Sequence, residues 1–305
     1  MRFGGKRRQC ASCERTWSIR PAKRGPKPTR KQLGYLKKVF LEGFKVRQIA
    51  RHSSLSIATL YKRFAKNLDS FVKCQRAIRV AGEDLIIIID AEWQYFNKEL
   101  WTLYFVTIRS AKKTTAIALD PILRYGKEGA AVWREIINNL PRSLKKRIVA
   151  MVADGIRGIG YIAEEHNWIL QSCHFHLLNV LQKMRGKRAT THGREIREKI
   201  FQYVKASLTV KSNNQFMTLC NELQGMIKDK GCPKRMRWAV SGYLNRSVAF
   251  RNYLNYPKLN LPTTVNVMES INSLFRRRAI TIKTPKAWYK WAIAYIRLKS
   301  RFNCK

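Results

Sequence analysis

Apolar positions change rhythm several times along the chain. From Lys31 they recur at helical spacing (Leu33, Leu36, Val39, Phe40) up to Gly43. A second short rhythm (Val46, Ile49, Ala50) stops at Ser53-Ser54, and a third begins after Ser56, so three short helices are expected. In the third, residues 57–68, Ser56 offers an N-cap oxygen, Leu60, Phe64 and Leu68 fall on one face, and Thr59, Lys62, Arg63 and Lys66 fall on the other. After Gly82 the pattern becomes strand-like. Leu85-Ile-Ile-Ile-Ile-Asp90 is a continuous apolar run ending in an acid, as expected of a strand buried on both faces. Further strands are expected at 103–109 and 114–119, a helix at 129–140, and a buried strand over 147–154 that again ends in aspartate. A helix at 158–166 and a short strand at 168–171 follow. Residues 174–260 pattern as helices and loops, and 262–305 as two amphipathic helices, the first carrying Glu269.

Three strands, a helix and a further strand open the ribonuclease-H-like fold, in which the fourth strand lies parallel beside the first. The fold class expected is therefore α/β, a mixed five-stranded ribonuclease-H-like core interrupted by an all-helical insertion and preceded by a small helix-turn-helix domain. The boundaries are 1–19 for a partial zinc-ribbon-like knuckle, 20–30 for a linker, 31–73 for the helix-turn-helix, 83–185 for the first part of the core, 186–261 for the insertion and 262–305 for the second part. The linker rests on Arg20–Thr29, whose three prolines, one glycine and four basic residues cannot pack a core.

Charge narrows the partners. The 305 residues hold 61 Lys and Arg against 19 acids, a formal net charge of +42, while 45% hydrophobic content allows a real core. Residues 1–73 carry 20 basic residues and three acids (Glu14, Glu42, Asp69), and no acid follows Glu269, so both ends should grip phosphates. Double-stranded DNA is the expected partner, with the outward residues of 57–68 suited to a major groove; the plainer alternative for them is a solvated basic face on a three-helix bundle. A ribosomal-type protein or a membrane-surface binder would account for the charge but not for the core or the motifs below.

The seven cysteines are odd in number and irregularly spaced, which argues against a disulfide framework and for a reducing, cytoplasmic, nucleoid-associated setting. Neither a signal peptide nor an eighteen-residue apolar span is evident. Cys10 and Cys13, followed by Glu-Arg-Thr-Trp, form one knuckle of a zinc ribbon; a second pair is not evident and the nearest histidine is His52. Two thiolates do not complete a tetrahedron, so zinc is not expected, and the ribbon's first half would lie before Met1 or have been lost.

Cleavage of a phosphodiester by paired metals needs carboxylates around ions roughly 3.5–4 Å apart. Magnesium suits such a site because it takes hard oxygen ligands and keeps several waters. Asp90 and Asp154 both end apolar strands that the topology puts side by side, and like charges so placed are best tolerated around a cation. Either aspartate alone would serve equally as a loop or helix cap. Glu269, Asn272 and Arg276, at i, i+3 and i+7, align a carboxylate, an amide and a guanidinium on one helix face, although a solvated polar stripe has the same spacing. Glu83, Asp84, Glu92 and Asp120 are rival acids, the first two placed to cap the strand they precede.

Taken together, Asp90, Val152-Ala-Asp154-Gly155, Gln171-Ser-Cys173-His-Phe-His176 and Thr263-Thr-Val-Asn266-Val-Met-Glu269-Ser-Ile-Asn272-Ser-Leu-Phe-Arg276 resemble the mutator-type bacterial insertion-sequence transposases. The resemblance spans roughly residues 83–300. It implies a DDE enzyme in which Asp90, Asp154 and Glu269 hold two Mg²⁺ (or Mn²⁺) ions, with Cys173, His176, Asn266 and Asn272 in support. Arg276, Arg277 and Arg278 would contact DNA, the partners would be element ends and target DNA, and the DNA complex would be a homo-oligomer. Two rival readings remain, a DNA-binding regulator that has lost activity and a nuclease that cuts without joining. Trp238, Tyr243 and Trp288 are available to stack on splayed bases, or else belong to the core.

The charge makes one prediction. A grip on six to ten phosphates loses about 10³- to 10⁵-fold in affinity between about 50 and 200 mM salt. Fluorescence anisotropy on labelled duplex should show a log-log slope of that steepness, and a flat profile would exclude a phosphate-dominated interface.

Overall fold

The computed structural model describes residues 2–3, 7–9, 16–18, 30–53, 55–74, 80–186, 193–279, 282–299 and 302–303; side chains are described within these except at 2–3, 7–9, 16–18, 30–33, 266–270, 274, 278 and 302–303. The chain divides into two compact units, 1–74 and 75–305.

In the first unit three short strands, β1 (Arg2–Phe3), β2 (Arg7–Gln9) and β3 (Thr16–Ser18), form an antiparallel sheet in sequence order. Cys10 and Cys13 and the expected linker lie outside the described residues. Three helices follow, α1 (Arg30–Phe40), α2 (Val46–Arg51) and α3 (Ile57–Lys73). Ser56 caps α3 by accepting the Thr59 N–H at 3.2 Å. Leu36, Phe40, Leu60, Phe64 and Leu68 are buried between the helices, with the Phe40 and Phe64 rings stacked at 6.0 Å. The third helix runs five residues past 68, because Asp69, Ser70, Phe71, Val72 and Lys73 include no helix breaker.

The second unit is built on one mixed sheet. Its strands are β4 (Leu85–Phe96), β5 (Glu99–Ser110), β6 (Thr115–Ala118), β7 (Ile122–Tyr125), β8 (Ile148–Ala153), β9 (Ile169–Ser172) and β10 (Phe302–Asn303), in the order β10-β6-β5-β4-β8-β9 with β7 also paired to β5. The pairs β4–β5 and β5–β6 are antiparallel; β4–β8 and β8–β9 are parallel. This is the connectivity expected of a ribonuclease-H-like core. β4 extends six residues beyond the apolar run, because its partner β5 continues opposite it down to a two-residue turn, Asn97-Lys98, whose residues both have positive φ as tight hairpins require. Neither β7 nor β10 was expected from the pattern, both being too short to show a period.

Alternation along β4 assigns its two faces. Leu85, Ile87 and Ile89 are buried with Trp133, Ile136 and Ile137 of α4 (Ala130–Asn138) and with Ile159 and Ile162 of α6 (Ile159–Glu165), which follows the one-turn helix α5 (Arg142–Lys145). Gly158, ahead of α6, takes φ +91°, and a Cβ there would stand 3.0 Å from that of Ala130, so two helix starts meet at a residue without a side chain. The other face of β4 carries Asp90 and Glu92 and meets α12 (Asn266–Ala279), which packs with α13 (Pro285–Lys299) through Phe275, Trp288 and Tyr295.

Between β9 and α12 lies a helical layer of α7 (His174–Met184), α8 (Arg194–Thr209), α9 (Asn213–Met226), α10 (Lys234–Leu244) and α11 (Ser247–Asn255), with a core of its own around Leu181, Ile200, Val204, Leu223, Met236, Val240 and Tyr243. It attaches to the sheet edge by polar bonds. Gln171, fully buried, donates through Nε2 to the Phe250 carbonyl at 3.0 Å and accepts the Tyr253 N–H through Oε1 at 2.8 Å. Asn252 Nδ2 donates to the Leu170 carbonyl at 2.7 Å. α11 thereby occupies the free edge of β9. Among the described residues no helix is long and apolar enough to cross a membrane.

Truncating Gln171 to alanine would remove the hydrogen bonds its buried amide makes to Ser172, Phe250 and Tyr253 and leave a cavity. The expected cost is about 2–4 kcal/mol. Tyr161→Ala, at a position 68% exposed, should cost less than about 0.5 kcal/mol. Urea denaturation of the two variants checks the contrast.

Candidate active site

The parallel register of β4 and β8 pairs Ile86 with Ala150, Ile87 with Met151 and Ile88 with Val152. Two residues further on come Asp90, within β4, and Asp154, directly after β8, so the two occupy matching positions on one face of the sheet. Asp90 is 7% exposed. Its Oδ1 accepts the Ala91 N–H at 3.0 Å and its Oδ2 accepts Nδ2 of Asn272 at 2.8 Å. That second bond ties α12 directly to β4 and sets the helix carrying Glu269 against the strand carrying Asp90. Glu269 precedes Asn272 by three residues on that helix; its side chain, with those of Asn266 and Arg278, lies outside the described set. Asn272 is itself buried, and its Oδ1 has no hydrogen-bond partner among the described residues.

Asp154 sits where β8 opens into the loop before α6. Its Oδ1 accepts the Ile156 N–H at 3.2 Å, an Asx turn that holds the carboxylate at the strand end. Burial pushes its carboxyl above the usual aspartate range, against the opposing influence of His176, the Ile156 N–H and Arg246. His176 is held below its ordinary value by burial, partly countered by Asp154, and its Nδ1 is buried with no partner among the described residues.

Motif spacing singles out His176 rather than His174, and the two histidines have different surroundings. His174 is buried, its Nε2 lies 2.6 Å from the Phe250 carbonyl and its N–H donates to the Thr263 carbonyl. Cys173 Sγ accepts the Val265 N–H at 3.4 Å. Cys173 and His174 thus anchor the segment entering α12, whereas His176 faces the Asp154 carboxylate electrostatically.

Two of the four rival acids form structural pairs. Glu92 is bonded to Arg276 and Asp120 to Arg297, the latter through Nη2 at 2.5 Å. Arg276, expected on DNA, is therefore engaged with a buried carboxylate, though its side chain remains 67% exposed. Arg277 is exposed, as are Lys62, Arg63 and Lys66 on α3, with Thr59 half-buried. Of the three aromatic residues placed either on bases or in the core, Tyr243 and Trp288 are core residues at 1% exposure, while Trp238 is 65% exposed with Lys234 Nζ over its ring.

Two neighbours of Asp154 carry no motif. Glu128, in the loop before α4, accepts Trp133 Nε1 at 2.8 Å, and burial together with the charge of Asp154 pushes its carboxyl up to about 7. Arg246, between α10 and α11, approaches from the helical layer. Nothing in the local pattern marks either; only the fold brings them in.

Among the described residues no group of three or more His, Cys, Asp and Glu side chains is spaced to hold a metal ion. The two strand-end carboxylates and the unpaired amide oxygen of Asn272 are nonetheless hard oxygen donors of the kind a divalent cation takes.

Comparison with protein families yields no match, and comparison with curated proteins yields none. Among solved structures, the chain is similar to that of the Drosophila P element transposase strand transfer complex, with a TM-score of 0.32 and 11% sequence identity over 91% of this chain and 80% of that one. Likeness of that degree carries no functional argument.

Glu128 predicts a pH dependence. Its ordinary value near 4.5 rises to about 7 on folding, so the folded protein retains a proton that the unfolded chain has released. Stability from this group is greatest below about pH 4.5, declines as pH rises, and levels above about 7, the decline amounting to at most about 3 kcal/mol. Asp154, shifted in the same direction, adds to it. Urea unfolding in chelator at about pH 5 and pH 8 should show the decline, and Glu128→Gln should reduce it; an unchanged slope in the variant would exclude the assignment.

Proposed function

We propose that this chain is a DNA transposase of the mutator type, which cuts DNA at the ends of an insertion sequence and joins them to target DNA by DDE chemistry. The observation that carries the reading is the meeting of two strands and a helix. Asp90, within β4, and Asp154, directly after its parallel neighbour β8, stand at matching register positions, and the helix bearing Glu269 is bonded to Asp90 through Asn272.

Asp90, Asp154 and Glu269 would hold Mg²⁺ or Mn²⁺, which when bound supplies Lewis-acid stabilisation of the charge that develops on the phosphoryl oxygens. In the first reaction a water oxygen bonds to phosphorus, the P–O3′ bond breaks and the departing 3′ oxygen takes up a proton. In the second, that 3′ hydroxyl loses its proton, bonds to a target phosphorus and displaces the target's own 3′ oxygen. Neither step needs a covalent link to protein. The chain's part is to orient: Asn272 fixes Asp90, the Ile156 N–H fixes Asp154, and His176 lies where it can accept a proton near Asp154.

Recognition falls to the first unit in this reading. α3 presents Thr59, Lys62, Arg63 and Lys66 away from its buried face, as the second helix of a helix-turn-helix does in a major groove. The exposed part of Arg276, with Arg277 and Arg278, would meet phosphates nearer the chemistry.

Incubating pre-cleaved end DNA and a plasmid with protein and Mg²⁺ tests the reading. Joined product supports transposition. Cleavage of uncut ends without joining indicates a nuclease, and binding without either indicates a regulator. Asp90→Asn, Asp154→Asn and Glu269→Gln should each lower the rate by at least about 10²- to 10³-fold, since each removes a ligand worth several kcal/mol of charge stabilisation. DNA binding should be retained in all three.

A further inference from the structure

A cationic side chain from the helical layer reaches the loop that follows β8. Arg246 stands at the corner between α10 and α11 and is itself solvent-exposed. Its Nε donates to the Gly242 carbonyl at 3.2 Å, which turns the side chain back along α10. A Cβ at Gly155 would lie 3.7 Å from Arg246 Nη2, and a Cβ at Gly242 would also lie 3.7 Å from it. The guanidinium therefore passes between two residues that have no side chain, one in α10 and one directly after Asp154.

The approach is close but the group is not consumed. Arg246 forms no ion pair among the described residues, and beyond the bond to Gly242 its side chain has no hydrogen-bond partner among them. Both Nη groups remain as donors, in a planar fork that matches two oxygens of a phosphodiester.

The corner is held rigidly. α11 is bonded to β9 through Gln171, Asn252 and the Phe250 and Tyr253 backbone, and β9 is the parallel neighbour of β8. Arg246 is the N-cap residue immediately before that docked helix, so the position of its guanidinium is referred to the same sheet that positions Asp154.

We propose that Arg246 is a further catalytic residue, whose guanidinium binds the non-bridging oxygens of the phosphodiester under attack from the helical side of the site. This rests on the function proposed above for the strand-end acids. The ligand class is an internal DNA phosphodiester, with Arg246 opposing the negative charge that builds on its oxygens during displacement.

A methylphosphonate, which replaces one non-bridging oxygen by a methyl group, separates the possibilities. Two short duplexes bearing the inverted repeat that flanks the reading frame, one natural and one with methylphosphonate at the scissile position, are titrated in Ca²⁺. The wild type should bind the natural duplex about 10-fold tighter, Arg246→Ala should bind both equally, and Arg246→Lys should fall between, because a point charge lacks the fork. In Mg²⁺, Arg246→Ala should cleave about 10²-fold more slowly at saturating DNA. Arg246 is exposed, so both variants should unfold at the wild-type urea midpoint. Discrimination that persists in Arg246→Ala, its absence in the wild type, or wild-type cleavage by Arg246→Ala overturns the proposal. If Arg246→Ala abolishes discrimination and the wild type still cuts no DNA, the phosphodiester contact stands and the transposase reading fails.

Discussion

Parallel pairing of β4 with β8 is the constraint on which the site depends. A parallel ladder keeps partners in step, so one register, Ile88 with Val152, determines which residues stand side by side at the strand ends. A shift of one residue would turn every side chain of the shifted strand to the other face and send its aspartate toward the cluster around Trp133. The long apolar runs make that slip expensive: Ile86, Ile87, Ile88, Met151 and Val152 are all fully buried. What brings two like charges together is thus the cost of misplacing apolar side chains. The carboxylates are then accommodated by an amide from Asn272 and a backbone N–H from Ile156.

The rest of the second unit brings distant chain to those strand ends. On one side, α12 is tied to β4 at two points, Asn272 on Asp90 and Arg276 on Glu92. Four residues of helix rise about 6 Å and two residues of strand about 6.6 Å, so the two bonds can form together only if helix and strand run nearly alongside. On the other side, α11 meets β9 through amide side chains and backbone groups, a directional attachment that apolar packing alone would not give. The site lies between these two attachments, which explains why Gln171, His174 and Asn272 are buried and polar at once.

The strands and the strand-end aspartates were legible because period and burial are written locally. Leu85–Asp90 and 147–154 are apolar on both faces, and an acid closing such a run stands out. The extension of β4 to Phe96 was not, since Trp93 and Tyr95 are exposed there and the strand persists through its partner. The helix with Glu269, Asn272 and Arg276 was legible as a face, but its partners were not: Glu92 counted as a rival acid and is the counter-ion of Arg276. Glu128 and Arg246 left no local signal at all. Trp133 five residues after Glu128 and the glycines at 155 and 242 are the traces they leave, and these acquire meaning only once the fold has brought them together.

The disposition of charge carries the argument one step further. Basic residues outnumber acids 61 to 19 in this chain. Glu92, Asp120, Glu135, Glu165 and Glu198 each hold an arginine. Asp154 and Glu128, close enough to raise the Glu128 carboxyl, form no ion pair among the described residues. Arg246 reaches the loop after Asp154, and its Nε donates to the Gly242 carbonyl. A buried carboxylate kept from abundant neutralising partners is costly to maintain. That cost accompanies the approach of carboxylate oxygens and a guanidinium to one another where β8 opens into its loop.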